Sequence, residues 1–389
     1  MHYIRFLKTP RLVTPAGGPP SVQARITITN DLGDDFLASD LDILVVLEDA
    51  SGNSISDGSR PPRPVGGRYL WNVSYAHSGL SVEVHVPRTA KNIEIGSLKM
   101  YIGAAQDSDV PDMIPVRNWQ DILAQDKGGV VGARAVVGET GLCERIFTQE
   151  GGPELHIWEE TGNSIARHIW DAGLVLSAYL TAIYARGPIA TPSAAAMPPL
   201  PSLAAATLPQ PNLHVLELGA GCGIVGITLS RLALPNVSKI VLTDLPDATD
   251  ILTTNLSPRA LAAQPALPTP TRCVLDWTAP LPRDIAATAW DLILVADCTY
   301  NPDFIPDLVA TFGRLAATRN DGRVTTVLLA MKDRHRSEGV FFTEMAGAGW
   351  EERERAVVRV SVLGGDGEEI RIFVYQRAED VGCVEPALS

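Results

Sequence analysis

Apolar and polar residues follow an alternation of strand and helix patterns from Leu213 to the end of the chain. Short apolar runs typical of buried strands occupy 213–218, 239–243, 271–275, 291–296 and 323–330, and segments with helical apolar spacing occupy 224–233, 247–256, 303–316 and 337–347. Two β-rich runs, 356–363 and 369–375, complete the pattern. We predict an α/β fold with a mostly parallel sheet covered on both faces, to which the last hairpin adds one antiparallel strand.

Before about residue 125 the apolar residues instead alternate with polar ones, as in 80–86, with the period of two of a half-buried strand. Similar β-rich runs lie at 24–29, 41–47 and 97–102, separated by Gly, Pro, Asp and Ser. They predict a small antiparallel β sandwich or barrel, closed by a short helix near 119–123. We therefore assign 1–126 to a β-rich N-terminal domain and the glycine-rich 127–142 to a linker.

A second domain is expected over 143–380, with a short tail at 381–389. It begins with a predicted hairpin, 145–149 and 154–159, and a helix over 164–184 with Asn163 or Ser164 as its N-cap. Residues 186–211 are almost wholly Ala, Pro, Ser, Thr and Leu. Repeated prolines and little to bury predict a disordered surface insertion there.

Net charge is −13, and the basic residues are mostly scattered arginines. An acidic chain without a basic cluster argues against nucleic-acid binding and suits a small-molecule ligand or a basic, lysine-bearing protein. The five cysteines include no C-x-x-C pair, which predicts reduced thiols and no metal site. No N-terminal apolar run and no uninterrupted apolar stretch of about eighteen residues occur, so we expect no signal peptide, no membrane span and a cytoplasmic or nuclear location.

The segment VLELGAGCGIVG predicts a buried strand, a glycine turn and a helix. Gly219, Gly221 and Gly223 let backbone and ligand approach closely, and the following helix offers unpaired N–H groups. The segment satisfies two patterns. Glu217 with the three glycines gives the E-x-G-x-G-x-G of a methyltransferase, whereas 221–226 gives the G-x-G-x-x-G of a dinucleotide site.

Acidic residues end the next two predicted strands. Asp244 follows 239–243, where a carboxylate can bind a ribose diol; the alternative is an N-cap for the helix that begins near Pro246. Asp276 and Trp277 follow the third strand, and an indole beside an acid suits an adenine ring. A buried structural tryptophan is the alternative.

The residues Asp297-Cys-Thr-Tyr300 follow the fourth predicted strand, where a parallel sheet opens onto its ligand. Asp297 and Tyr300 supply a carboxylate and a phenol that can hydrogen-bond a polar substrate atom. The alternative is a helix cap before Pro302. Ahead of the sheet, Trp170 either covers a cofactor or packs in the core.

Together these pieces resemble the seven-β-strand protein-lysine methyltransferases of the "methyltransferase 16" family, over about residues 143–378. The resemblance rests on IWDAG at 169–173, the glycine segment, VLTDLP at 241–246, LDW at 275–277 and ADCTY at 296–300. It implies a Rossmann-like seven-stranded methyltransferase sheet and S-adenosyl-L-methionine as cofactor. The contacts it implies for that cofactor come from Trp170, Gly219, Gly221, Asp244, Trp277 and Ala296, and Asp297 and Tyr300 would line the site of the target lysine.

The resemblance makes 143–380 the methyltransferase domain and predicts methyl transfer to a lysine ε-amine of a protein partner. Glu217 would steer the amino end of the cofactor's methionine part. Three alternatives stay open: a small amine or pyridine nitrogen as acceptor, a nicotinamide-dependent oxidoreductase, and a non-catalytic cofactor-binding scaffold.

Overall fold

The computed structural model describes residues 1–59, 63–87, 97–107, 113–124, 127–148, 154–162, 164–184, 199–207, 210–232, 234–257, 268–317, 321–365 and 367–378. The chain divides into two compact units. The first is Met1–Trp170 together with Arg359–Glu368, and the second is Asp171–Val358 together with Glu369–Ser389. Within the described ranges, no helix has the length and apolar composition needed to span a membrane.

The first unit is built from β-strands. Its described elements are β1 (His2–Val13), β2 (Ser21–Thr29), β3 (Leu41–Glu48), β4 (Gly66–Trp71), β5 (Leu80–His85), β6 (Lys99–Ala104), β7 (Met113–Val116), α1 (Trp119–Ile122), β8 (Gly128–Val131), β9 (Ala133–Val136), β10 (Leu142–Phe147) and β11 (Leu155–Glu160). The strands form a five-stranded sheet of order β5-β2-β1-β8-β7 and a six-stranded sheet of order β11-β10-β9-β6-β3-β4. The prediction of a β-rich N-terminal region is confirmed.

The core of this unit lies between the two sheets. In β5 the side chains alternate between buried and exposed, with Leu80, Val82 and Val84 pointing inward. Fully buried residues of both sheets, such as Ile26 and Ile43, belong to one apolar cluster. The unit is therefore a β sandwich rather than a barrel, and each strand buries one face because its apolar residues repeat every second position.

The glycine-rich segment 127–142, predicted as a linker, instead contains β8 and β9. A Cβ atom on Gly128 would lie 2.6 Å from the backbone nitrogen of Leu363, and one on Gly129 would lie 2.9 Å from Val116 Cγ2. These glycines allow close packing, which the sequence pattern did not distinguish from flexibility. The predicted hairpin is present as β10 and β11, but it extends the six-stranded sheet and so lies in the first unit.

The second unit alternates strands and helices. Its described elements are α2 (Asp171–Tyr184), α3 (Pro201–Thr207), β12 (Leu213–Leu218), α4 (Ile224–Arg231), β13 (Val237–Asp244), α5 (Thr249–Asn255), β14 (Thr271–Val274), α6 (Arg283–Ala286), β15 (Leu292–Ala296), α7 (Ile305–Ala316), β16 (Thr326–Lys332), α8 (Val340–Gly347), β17 (Trp350–Val360) and β18 (Glu368–Arg377). They form one seven-stranded sheet of order β14-β13-β12-β15-β16-β18-β17.

The strand order of this sheet reverses at β12. Strand β12 pairs in parallel with β13 on one side and with β15 on the other, whereas β18 runs antiparallel to β16. The mostly parallel sheet with an antiparallel strand is thus confirmed. A reversal of this kind leaves a crevice at the carboxyl ends of the central strands, and that crevice is where such sheets bind ligands.

Two predictions around the first helix of this unit are corrected. The helix predicted from residue 164 begins at Asp171, because His168 is extended (φ −116°, ψ 155°) and separates it from a single 3-10 turn, Ile165–Arg167. Ser164 stands at the N-cap of that turn without a side-chain hydrogen bond, and Asn163 lies outside the described residues.

The insertion predicted as disordered contains helix α3. Pro201 occupies its first residue, where a helix needs no N–H, and Leu203 is fully buried. The backbone N–H of Ser202 donates to Glu354 Oε2 at 2.8 Å. The composition argument overlooked that a proline at a helix start is tolerated. Residues 186–198 and 208–209 of the insertion, and the tail 381–389, lie outside the described residues.

Candidate functional site

The glycine turn after β12 lies at the point where the strand order reverses. Gly219 has φ +64°, and a Cβ atom there would collide with Cys298 Sγ and lie 3.4 Å from Trp277 Cζ2. Gly223, with φ +78°, starts α4, and its Cβ would lie 2.6 Å from Leu242 Cδ2. Glycine is required at both positions because backbone conformation and space each exclude a side chain. The turn is thereby held against the chain that follows β14 and β15.

Two acidic side chains hold this turn through its backbone N–H groups. Glu217 is 2% exposed, and its Oε2 accepts from Gly226 N at 2.8 Å in the first turn of α4. Asp244, at the end of β13, accepts from Gly221 N and from Leu245 N, each at 2.7 Å. The structure therefore brings together the acids and glycines that the sequence singled out.

Both acids are poor in positive partners. Burial raises the pKa of Glu217 to about 8, and the charge of Asp244 raises it further. Burial likewise raises the pKa of Asp244. Within the described part of the chain, no arginine, lysine or histidine forms an ion pair with either carboxylate. Buried acids of this kind favour a ligand that brings positive charge, because such a ligand stabilises their ionised forms.

The raised pKa of Glu217 predicts a pH-dependent stability. The pKa of Glu217 is ordinarily 4.5 and is about 8 in the folded protein. Its favourable contribution to the free energy of unfolding is therefore complete below pH 4.5 and is lost as the pH rises to about 8. Glu217→Gln keeps an acceptor for Gly226 N and removes the titration. We expect the free energy of unfolding of the variant, relative to that of the wild type, to rise by up to about 1.4 kcal/mol per pH unit between these pH values. Urea unfolding at pH 5, 6.5 and 8 measures this difference; a difference independent of pH would contradict the assignment.

Asp276 and Trp277 follow β14 and have different surroundings. Asp276 is exposed, and its Oδ1 accepts from the N–H and the hydroxyl of Thr278 at 2.9 and 2.7 Å. These hydrogen bonds lower the pKa of Asp276. Trp277 is half-buried beside Gly219, and its carbonyl accepts from Arg314 Nη2 at 2.6 Å. The indole thus lies at the glycine turn, while the adjacent carboxylate is engaged in its own loop.

Asp297, directly after β15, is held from several sides. It has φ +55°, and its side chain is 3% exposed. Its Oδ2 accepts from Ala172 N at 3.0 Å, and its Oδ1 from Lys332 N at 3.3 Å. Arg334 donates to both oxygens, from Nη1 at 2.7 Å and from Nη2 at 3.2 Å. Asp297 therefore connects the start of α2, the end of β15 and the loop after β16.

Two basic residues of this cluster were missed by sequence reasoning. Lys332 is the last residue of β16 and Arg334 lies in the loop after it, and Lys332 Nζ forms a buried ion pair with Asp171 Oδ2 at 3.0 Å. The polar run Lys332-Asp-Arg334 after an apolar strand is the signal that could have identified them, since Asp297 likewise follows an apolar strand.

The other predicted residues lie as follows. Ala296 ends β15 next to α2, since a Cβ on Gly173 would be 3.8 Å from Ala296 Cβ. Tyr300 is 50% exposed, and burial of the rest of its ring raises the pKa of its phenol. Trp170 belongs to the first unit, where its indole N–H donates to Ile165 O at 3.0 Å. The cofactor contact predicted for Trp170 stays a prediction.

This sheet order, with a glycine turn at the reversal, defines a Rossmann-like nucleotide-cofactor fold. Residues 149–348, just over half of the chain, match the model of a family described as lysine methyltransferase. The chain therefore belongs to the lysine methyltransferase family, as the resemblance predicted.

Several curated proteins are similar to this chain. A UPF0665 family protein of Schizosaccharomyces pombe is 28% identical over 201 residues, which are 51% of this chain and 53% of that protein. The human protein-lysine N-methyltransferase EEF2KMT is 30% identical over 37% of this chain and 46% of that protein. EEF1A lysine methyltransferase 3 of Xenopus tropicalis is 29% identical over 50% of this chain and 72% of that protein. The chain spans about half the length of the first two of these relatives.

Among solved structures, a putative tRNA (m1A22) methyltransferase of Streptococcus pneumoniae in complex with S-adenosyl-L-methionine aligns with a TM-score of 0.32 and 14% identity. The alignment covers 45% of this chain and 71% of that one.

Proposed function

We propose that this protein is an S-adenosyl-L-methionine-dependent methyltransferase that acts on the ε-amine of a lysine in another protein. The observation that carries the proposal is the pair of buried acids, Glu217 and Asp244, against the glycine turn. Burial raises the pKa of both acids, so a ligand that carries positive charge would stabilise their ionised forms. Membership of the lysine methyltransferase family supports the same conclusion.

The acids also distinguish between the two cofactors that the glycine pattern allows. A nicotinamide dinucleotide would place a pyrophosphate at the start of α4, close to the Glu217 carboxylate, which already occupies the N–H of Gly226. S-adenosyl-L-methionine carries an ammonium and a sulfonium and only one carboxylate. When ionised, the two acids repel a pyrophosphate and attract a cation, and a bound cation lowers the raised pKa of Glu217, so the acids favour the second cofactor.

The residues around the turn fit such a group. Asp244 presents a carboxylate at the end of β13 where a ribose diol can donate to it, and Trp277 offers an indole face beside Gly219. The absence of a side chain at Gly219 lets a ligand approach the backbone. When bound, S-adenosyl-L-methionine supplies an electrophilic methyl group.

Besides binding the cofactor, the protein must deprotonate and align the lysine amine. An ammonium with a reference pKa near 10.4 must lose its proton, which costs roughly 4.6 kcal/mol at pH 7. Alignment of the amine with the methyl group contributes up to ~7–11 kcal/mol, so positioning contributes more to the rate than deprotonation costs. Asp297 and Tyr300, both at the carboxyl end of β15, line the place where the amine enters.

A protein acceptor agrees with the charge of the chain and with the names of its relatives. The net charge of −13 attracts a lysine-bearing, basic surface. The human relative is named a protein-lysine N-methyltransferase, and that of Xenopus tropicalis is named for EEF1A. A cytoplasmic or nuclear location, predicted from the sequence, belongs to the same proposal.

Calorimetric titration of the full chain tests the cofactor. We expect S-adenosyl-L-methionine to bind with a Kd of roughly 1 μM or below, about −8 kcal/mol, and NAD to show no heat of binding. Glu217→Gln serves as a matched variant that keeps the shape of the site and removes the charge that Glu217 takes on above its pKa of about 8, so at pH 9 it should bind the cationic cofactor more weakly. Binding of NAD in preference to S-adenosyl-L-methionine would refute the proposed cofactor.

The acceptor is tested by incubating the protein with a eukaryotic cell extract and methyl-labelled cofactor. We expect discrete labelled protein bands that yield methyl-lysine on hydrolysis. Label confined to small molecules would favour the small-amine alternative, and cofactor binding without any label would favour the scaffold.

A further inference from the structure

The carboxylate of Asp297 has its hydrogen-bonding capacity filled by the chain itself. A carboxylate offers about four lone-pair sites. At least four donors reach Asp297, namely the N–H groups of Ala172 and Lys332 and the two terminal nitrogens of Arg334. A lysine ammonium that approaches this end of β15 therefore meets a carboxylate already engaged in a two-point ion pair with a guanidinium.

This arrangement matters for methyl transfer because the reaction requires a neutral amine. An ionised carboxylate within about 4–6 Å of an amine favours the ammonium and raises its pKa by about 1–3 units. An unpaired Asp297 would thus bind the lysine well and hold it in the unreactive protonated form. Paired with Arg334, the same carboxylate has no net charge to offer.

We propose that Arg334 is a positioning residue that neutralises Asp297, so that the target lysine is admitted without being fixed as an ammonium. The inference rests on the proposed function, since it concerns the lysine that would enter there. Arg334 also covers the carboxylate: the side chains of Asp297 and Arg334 are 3% and 14% exposed. Truncation of Arg334 is therefore expected to open the carboxylate to small cations.

The other charged groups around the pair are balanced or engaged. On α2 and β16, Asp171 and Lys332 form their own buried ion pair. On the loop after β16, Asp333 pairs with Arg371 of β18. The further acids near the site are Glu338 on that loop and Glu217 and Asp244, whose charges, like that of Asp297, raise the pKa of the Cys298 thiol.

Glu338 also makes a variant at position 334 practicable. Its Oε1 accepts from the backbone N–H groups of Arg334 and His335 at 3.0 and 3.1 Å. These bonds use the backbone, so they remain when the arginine side chain is removed. The loop that carries Arg334 therefore keeps an anchor of its own.

The first test measures binding of n-butylammonium, which has the length and charge of a lysine side chain, to the full chain at pH 7. Arg334→Ala is expected to bind it at least about tenfold more tightly than the wild type, because the freed carboxylate attracts the cation. The double variant Asp297→Asn with Arg334→Ala should return to the weak wild-type affinity, and Arg334→Lys should resemble the wild type. Equal affinity in all four proteins would overturn the proposal. If Arg334→Ala melts below the assay temperature, Arg334→Gln carries the same expectation.

The second test uses the pH dependence of methyl transfer to the acceptor band labelled in the extract assay. In Arg334→Ala the rise of kcat/KM with pH should move upward by about 1–3 pH units, with a lower KM and a lower kcat below pH 8. Arg334→Lys, which keeps the positive charge, should keep the wild-type profile, and Arg334→Gln should share the shift of Arg334→Ala, which a merely structural role of Arg334 does not predict. An unshifted profile in Arg334→Ala would contradict the proposal. Absence of any labelled band with the wild type would refute the proposed function instead, and the binding test would still decide the role of Arg334.

Discussion

Replacing Asp297 by alanine is expected to lower the free energy of unfolding by about 3–5 kcal/mol and to abolish methyl transfer. The substitution leaves the guanidinium of Arg334 without its carboxylate in a nearly buried site, and removal of one partner of a buried ion pair has a cost of this size. It also removes the acceptor of Ala172 N and Lys332 N, so the start of α2 and the end of β16 lose a common anchor. The amine site would then lose its geometry together with its charge balance.

Scanning calorimetry measures this effect, with roughly 2–4 °C of lowered melting temperature expected for each kcal/mol in a unit of this size. Asp303→Ala is the matched control. Asp303 lies in the same loop region after β15 but is exposed, and its removal should leave melting unchanged. If Asp297→Ala had the same melting temperature as the wild type, the assignment of an anchoring role to Asp297 would be wrong.

The substitution Gly219→Ala is expected to lower the free energy of unfolding by about 2–5 kcal/mol. It should also weaken the affinity for S-adenosyl-L-methionine at least tenfold. Two costs add. A residue with a Cβ at φ +64° costs about 1–2 kcal/mol, and the new atom collides with Cys298 Sγ, an overpacking that costs about 1–3 kcal/mol. Relief of the collision moves the turn against which a ligand must lie.

Two further variants separate these costs. Gly349 has φ +78° with no atom within 4 Å of a built Cβ, so Gly349→Ala should show the conformational cost alone. Cys298→Ala in the Gly219→Ala background should recover the collision part and leave the conformational part. Urea unfolding of the wild type and these variants measures both costs. No recovery in the double variant would show that Cys298 Sγ is not the obstacle.

Much of the second unit could be predicted from the chain because its strands are fully buried and therefore continuous in apolar residues. Each of β12, β13 and β15 ends in the turn or polar residue that the pattern identified, and Glu217, Asp244 and Asp297 consequently lie where a parallel sheet opens. Local sequence is sufficient here because strand and turn chemistry agree.

The remaining features depend on contacts between distant parts of the chain. Strand β16 was predicted to stop at residue 330 and extends to Lys332, so the basic residues of the site fell outside the predicted strand end. The pairing of Asp297 with Arg334 cannot be inferred from spacing, since it depends on how β15 and β16 are placed side by side. The glycines of β8 likewise indicate close packing only once Leu363 is known to lie against Gly128.

That contact between Gly128 and Leu363 has a consequence for the synthesis of the protein. Leu363 belongs to the apolar core of the β sandwich, although it follows the first strand of that sandwich by most of the chain. A ribosome delivers residues in order, so the sandwich waits for its last core residue until Leu363 has been made. We expect its final closure to occur only once Leu363 has left the ribosome, and a nascent chain stalled before residue 359 to remain sensitive to protease in 1–170.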